Sequence, residues 1–256
     1  MKAAYRAHLS DPSLYVEVVP IPDESIKSKI HQIYRLQYMK DVILPRVLDD
    51  NAFQIVNSIV YFNQVDIVQY LSKRDEFWDE IFNGTFPEHK VNGNSETKDE
   101  KEATTNGANH ADSEAKQQDA IAFLQSFAQM VKQLQLNMRT QHFRALSERG
   151  MLRVLEYALS NARLHEIQPI RIAVVEILML LVDNDPSSIR SFVLKEHEKP
   201  GKQRTLMTAI INAFHTEEDL GAKAQLAEAI RILLLPPGEA AATEVGYIFT
   251  YSTKPG

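Results

Sequence analysis

Cysteine is absent from all 256 residues. That one gap excludes disulfide frameworks, zinc fingers, iron–sulfur ligation and thiol nucleophiles, and it fits a reducing compartment. Glycine is scarce, nine residues in all, which disfavours a glycine-rich nucleotide cradle or a turn-dense β architecture. Positive charge is not in excess: 28 Lys and Arg stand against 34 Asp and Glu, a formal net charge of −6. Neither nucleic acid nor a membrane surface is therefore expected as a partner. Long apolar runs are missing too. The longest, 170–182, is broken by Arg171 and Glu176, and it falls short of the roughly 20 residues that cross a bilayer. After Met1 the residues Lys2-Ala3-Ala4-Tyr5-Arg6 offer no apolar leader.

What remains is a chain with 44% hydrophobic residues and helical punctuation almost throughout. Residues 1–22, with Asp11-Pro12 and Pro20-Ile21-Pro22, read as a short helix and an extended arm. Asp23 is placed to cap a helix reaching about Lys40, with Ile26, Ile30, Ile33, Tyr34 and Gln37 on one face. Two further helices are expected at 51–62 and 65–72, joined by a turn at Asn63-Gln64, and a third at 75–82 carries the single tryptophan, Trp78. Between 88 and 118 the only large aliphatic residue is Val91. Such a segment buries too little apolar surface to offset the entropy of ordering it, so it is expected to be a disordered insertion. It holds seven acidic and four basic residues, about half of the net charge.

Helices resume near Asp119. They continue through 139–148, ended by Gly150, then through 151–161 and the apolar stretch 166–182. Asp185-Pro186 opens the next helix with a cap and a first-turn proline. A polar loop is expected at 195–204, then helices at 206–214 and 221–235. Only 245–251, in the tail 237–256, has strand-like composition.

A repeat organises these helices. Residues 166–181 fall on 218–233 at a shift of 52, so that Val174 meets Leu226, Glu176 meets Glu228 and Leu178 meets Ile230. Phe123, Leu124 and Phe127 fall on Ile177, Leu178 and Leu181 at a shift of 54. A period near 50 residues that ends in a long apolar helix is the armadillo/HEAT pattern, in which stacked units share one continuous core. The expected fold is thus an all-α helical-repeat solenoid, with repeats over 23–87 and 119–236 around the polar insertion.

Helical phase divides each long helix. Ile170, Val174, Ile177, Leu178 and Leu181 share the core side of one; Leu226, Ala229, Ile230 and Leu233 share that of the next. Opposite them lie Ile172, Glu176, Met179 and Asp183, then Ala224, Glu228 and Arg231. These seven form the candidate protein-binding stripe, since the outward face of such helices lines the groove of an armadillo solenoid. An importin-like peptide-binding adaptor is the alternative, but its Trp/Asn ladder is not matched: Glu176, Leu180, Glu228 and Ile232 fill the corresponding places.

No catalytic or cofactor chemistry is expected. The eight histidines lack metal-ligand spacing, and there is no nucleophile elbow or phosphate loop. Carboxylate pairs such as Asp49-Asp50 and Glu217-Glu218 sit at helix starts, where capping explains them.

Several blocks resemble the SMEK family, regulatory subunit 3 of protein phosphatase 4. They are Ile21-Pro22-Asp23 with Lys29-Ile30-His31-Gln32, Tyr34-Arg35 to Val42-Ile43-Leu44-Pro45, and Tyr61-Phe62-Asn63 to Val65-Asp66-Ile67-Val68. Phe123-Leu124-Gln125 to Leu134-Gln135 and Asp185-Pro186-Ser187 to Arg190-Ser191-Phe192 follow in order. The resemblance runs from about Tyr5 to Leu235, and the family pattern is lost after Pro236. It implies a non-catalytic scaffold in nucleus and cytoplasm, working with the phosphatase 4 catalytic subunit, its other regulatory subunit and substrate proteins. The family carries an EVH1-like domain upstream and an acidic tail downstream, so this chain is expected to correspond to the central repeat module. No glycine is followed by Asp or by Asn-His, so the signatures of a metal-dependent Ser/Thr phosphatase are missing.

Overall fold

The computed structural model describes residues 5–11, 15–43, 49–86, 106–198 and 205–235. Among the described residues there are helices and no strand. The fold is all-α, as expected. Contacts divide the chain into two compact units, Met1–Phe77 and Trp78–Gly256.

In the first unit, α1 (Tyr5–Ser10) precedes an extended arm, then α2 (Glu24–Tyr38), then α3 (Asp50–Ser72). Asp23 caps α2, its carboxylate accepting from the backbone N–H of Ser25 at 2.9 Å and of Ile26 at 3.2 Å. The arm buries Val19 and Ile21, and Tyr15 fixes it against α2 by stacking on His31 with ring centroids 3.8 Å apart. The Nε of Arg35 donates to the carbonyl of Leu9 at 3.0 Å, tying α1 to α2.

Two expectations fail here. Residues 51–62 and 65–72 are one helix, not two. Asn63 and Gln64 are buried inside it, and the Nδ2 of Asn63 donates to the Gln32 side chain of α2 at 2.9 Å. A polar pair that reads as a turn is a satisfied amide at a helix–helix contact. On α2, Gln37 is exposed rather than buried beside Ile26 and Ile33.

The second unit takes in Trp78 on α4 (Asp75–Asp79), which runs on into a wider π-type turn, Glu80–Thr85. Trp78 is 1% exposed, stacked on Phe82 and edge-on to Phe127 at 4.8 Å between centroids. There follow α5 (Asn106–Lys132), α6 (Leu136–Leu146), α7 (Leu152–Ser160), α8 (Ala162–Glu166), α9 (Gln168–Asn184), α10 (Pro186–His197), α11 (Leu206–Thr216) and α12 (Leu220–Leu234). The long helices form one row, α5 on α9 and α9 on α12, while α7 packs on α11. That two-row stacking is the repeat the sequence shifts predict. Nine residues of α9 are buried, among them Ile170, Val174, Ile177, Leu178 and Leu181. One side of a single helix cannot hold so many, so α9 is a shared wall.

Caps sit where residue types place them. Asp185 accepts from the N–H of Ser188 at 3.2 Å, Thr205 closes a capping box with Thr208, and Asp219 accepts from the N–H of Ala222 at 2.8 Å.

The polar stretch 88–118 departs from expectation at its end. α5 begins at Asn106, so 106–118 is helical, and residues 87–105 lie outside the described residues. The composition argument counts apolar burial alone, whereas polar contacts order this turn. Glu114 pairs with Arg163, and Lys116 pairs with Asp112 one turn away at 2.9 Å. Gln117 is buried; its Nε2 donates to the Thr85 carbonyl at 3.4 Å and its Oε1 accepts from the Tyr157 hydroxyl at 3.2 Å. That hydroxyl in turn accepts from Asn161 at 3.2 Å.

The expected loop at 195–204 likewise starts as helix, since α10 runs to His197 and Glu196 is buried. Residues 245–251 and the rest of the tail lie outside the described residues.

Between α6 and α7 a π-type turn, Ser147–Met151, contains Gly150 at φ 136°. A Cβ there would meet the Arg153 guanidinium at 3.0 Å and Phe82 at 3.3 Å. Replacing Gly150 by alanine is therefore expected to cost roughly 1–3 kcal/mol, read as a lower urea midpoint with an unchanged slope.

Candidate protein-binding surface

The seven stripe residues occupy the side of α9 and α12 that the core leaves over. Ile172 is 37% exposed; Asp183, Ala224 and Arg231 are exposed, and Glu176, Met179 and Glu228 are half-buried. On α9 they follow at i, i+4, i+7 and i+11, a single strip along a helix buried almost everywhere else. α12 repeats the first three steps. The core side holds with one difference: Ile230 is half-buried, whereas Leu226, Ala229 and Leu233 are buried.

The strip does not end at α9. The Nε2 of Gln125 donates to the Glu176 carboxylate at 2.5 Å, and that of Gln129 reaches the same oxygen at 3.5 Å. Both glutamines were missed as site residues, although the 54-residue shift carries Gln125 onto Met179 and Gln129 onto Asp183. Glu176 is therefore a carboxylate held between two neighbouring helices of the row by amide donors. On α12, the Nε of Arg231 donates to Glu228 at 2.7 Å. This contact holds the Glu228 carboxyl below the usual carboxylate range and raises Arg231. Both side chains are solvated, so the pair sets local charge rather than stability. Charge on the surface is uneven: Glu176 and Asp183 have no cationic partner on the strip, and Glu228 is neutralised.

Leu180, one of the places compared with an importin ladder, is 5% exposed and belongs to the core. Trp78 is buried as well. No tryptophan is left to line a groove, because the chain has one. Among the described residues no group of three or more His, Asp or Glu side chains could hold a metal, and no helix is long and apolar enough to cross a membrane.

The helices are held in register by an ion pair at one end and a buried guanidinium at the other. Arg171, in the first turn of α9, lies 2.9 Å from the carboxylate of Glu217, which is fully buried just before α12. Glu217 also accepts from the N–H of Asp219 at 2.9 Å, and Arg171 donates to the carbonyl of His165 at 3.0 Å. At the other end, Arg190 of α10 is 1% exposed. It donates to the carbonyls of Ile232 at 2.8 Å, Leu233 at 3.0 Å and Leu235 at 3.0 Å. A cation on the last carbonyls of a helix satisfies orphan acceptors and opposes the negative end of the dipole.

A family profile described as phosphatase 4 regulatory subunit 3 matches residues 1–247. The chain belongs to the phosphatase 4 regulatory subunit 3 family. The match passes the point near Pro236 where the resemblance read from the residues stops. Within the family the chain is 30% identical over 230 residues to Suppressor of Mek1 from Dictyostelium discoideum, covering 90% of this chain and 19% of that protein. It is 27% identical over 259 residues to serine/threonine-protein phosphatase 4 regulatory subunit 3 from Drosophila melanogaster, covering 98% of this chain and 24% of the other. An uncharacterised protein from Schizosaccharomyces pombe is 30% identical over 246 residues, 93% of this chain and 26% of that one. The chain thus spans about a fifth to a quarter of these relatives. No solved structure matches it.

Two outcomes are expected. Arg171→Ala leaves the buried Glu217 carboxylate without its cation and costs about 3–5 kcal/mol in chemical denaturation, as loss of one partner of a buried pair does. The second concerns pH. Burial lowers the pKa of His31, His142 and His165 below the ordinary histidine value, with help from Arg35, Arg149 and Arg171 respectively. The folded chain therefore holds protons on these imidazoles less readily than the unfolded chain does. Stability is expected to be lost as pH falls through the ordinary histidine value of about 6.5, a decline that urea melts at each pH would record.

Proposed function

We propose that this chain is a non-catalytic, protein-binding module of a protein phosphatase 4 regulatory subunit, which helps bring the phosphatase to its substrate proteins. Family membership supports the reading, and the name of the Drosophila relative agrees with it. The partners of this reading are the phosphatase 4 catalytic subunit, its other regulatory subunit and substrate proteins, met in nucleus and cytoplasm.

The observation that carries the binding role is the uncovered strip on α9, a helix with nine buried residues in seventeen: Ile172, Glu176, Met179 and Asp183, continued at the same spacing by Ala224, Glu228 and Arg231 on the more exposed α12. A side of a core helix that carries carboxylates and apolar atoms together offers both charge pairing and contact area to a partner. Gln125 and Gln129 extend it with amides that can bond to an incoming backbone.

Glu176→Lys combined with Glu228→Lys is expected to weaken capture of purified protein phosphatase 4 complex about ten-fold, a loss of 1.4 kcal/mol. The melting transition is expected to fall only modestly, because the Glu228–Arg231 pair is solvated and the Gln125–Glu176 hydrogen bond contributes about 1 kcal/mol. Unchanged capture by a folded double variant would move the binding role elsewhere on the chain.

A further inference from the structure

The first unit presents one face that neither the fold nor the stripe on α9 and α12 uses. On α3, Ile55 is 60% exposed, Ile59 36% and Phe62 65%. Single exposed apolar residues are ordinary, but these three follow at i, i+4 and i+7 and form one strip about 10 Å long. Phe53, also exposed, lies on the other side of the helix, where the ammonium of Lys40 sits 5.7 Å from its ring. Between Asp50 and Asp66 the helix has no charged residue.

The same face continues through Asp66, Gln69 and Lys73 at the same helical spacing. There it opens into a groove of about 520 Å³ against α2, lined by Ile26, Lys29, Asp66, Gln69, Tyr70, Lys73 and Arg74. Three cations meet one carboxylate in this groove. Lys29 is paired with Asp66. The guanidinium of Arg74 is held by Tyr70, donating to its hydroxyl at 2.8 Å and lying 5.6 Å from its ring. One helix face is therefore apolar for two turns and basic about 16 Å further on.

We propose that this α3 face docks an amphipathic helix of a partner protein, with apolar side chains on Ile55, Ile59 and Phe62 and an acidic first turn over Lys29, Lys73 and Arg74. The charges set the direction. Acidic residues favour a helix N-terminus, so the partner helix runs antiparallel to α3. The size of the strip sets the kind of partner: three side chains fall well short of the roughly 1,200 Å² that a stable pair of folded chains buries, whereas a single helix laid in a groove needs no more. The inference does not rest on the phosphatase reading, and it concerns different residues from the stripe.

The test uses the whole chain and fluorescein-labelled synthetic helices, read by anisotropy at low salt. The first probe carries an acidic first turn and, about eleven residues on, leucines at i, i+4 and i+7. A second probe has lysines for the acidic residues, and a third has serines for the leucines. The first is expected to bind at least ten-fold more tightly than either control. Phe62→Ser in the chain should remove at least ten-fold of that affinity with the melting transition unchanged. Lys73→Glu with Arg74→Glu should reverse the preference between the first two probes, and Lys73→Glu alone should narrow it. Equal binding of all three probes, no binding at about 100 μM, or full affinity in a folded Phe62→Ser chain would overturn the proposal. So would sedimentation showing a dimer that Phe62→Ser separates, for then a second copy covers the strip.

Discussion

Helix α9 cannot bury its apolar residues against any one neighbour. With nine buried residues in seventeen, it needs α5 on one side and α12 on the other, and this double demand organises the second unit. The long helices form a row because each completes its neighbour's core, and the row leaves one strip of α9 uncovered. The candidate binding surface is a by-product of that arithmetic: what stacking does not cover is what a partner can reach. It also explains why the strip mixes Ile172 and Met179 with Glu176 and Asp183. Positions outside the core are free of the demand for apolarity without being barred from it.

Hydrophobic stacking is nondirectional, and it does not say which turn of α9 meets which turn of α12. The polar groups at the helix ends do. Arg171 and Glu217 join the starts of the two helices, and Arg190 holds the last carbonyls of α12 from α10. Each is a charged group largely taken out of water and held at short range by its partners, a costly arrangement that tolerates one geometry. The Gln125–Glu176 contact does the same across α5 and α9 in the middle of the row.

Much of this was legible in the chain itself. Asp23 and Asp185 announce helix starts, Gly150 announces a corner, and the shifts of 52 and 54 residues announce the stacking, because these features act locally or recur. What was not legible depends on contacts between distant residues. Asn63-Gln64 reads as a turn until Gln32 is brought beside it, and residues 112–118 read as solvated until Thr85, Tyr157 and Arg163 arrive. Glu196 and Leu180 were misplaced for the same reason. Helical phase sorts residues by side, but near a junction of several helices almost every side is inside. The glutamines facing Glu176 could have been found, since the repeat shift already carries them onto the stripe.

The hydrogen-bonded relay from Thr85 through Gln117 and Tyr157 to Asn161 joins the end of the π-type turn after α4 to α5 and α7. Gln117 and Tyr157 each commit one donor and one acceptor to it, so removing either breaks two of its bonds at once. The relay is therefore cooperative: the losses from two substitutions within it would fall short of their sum.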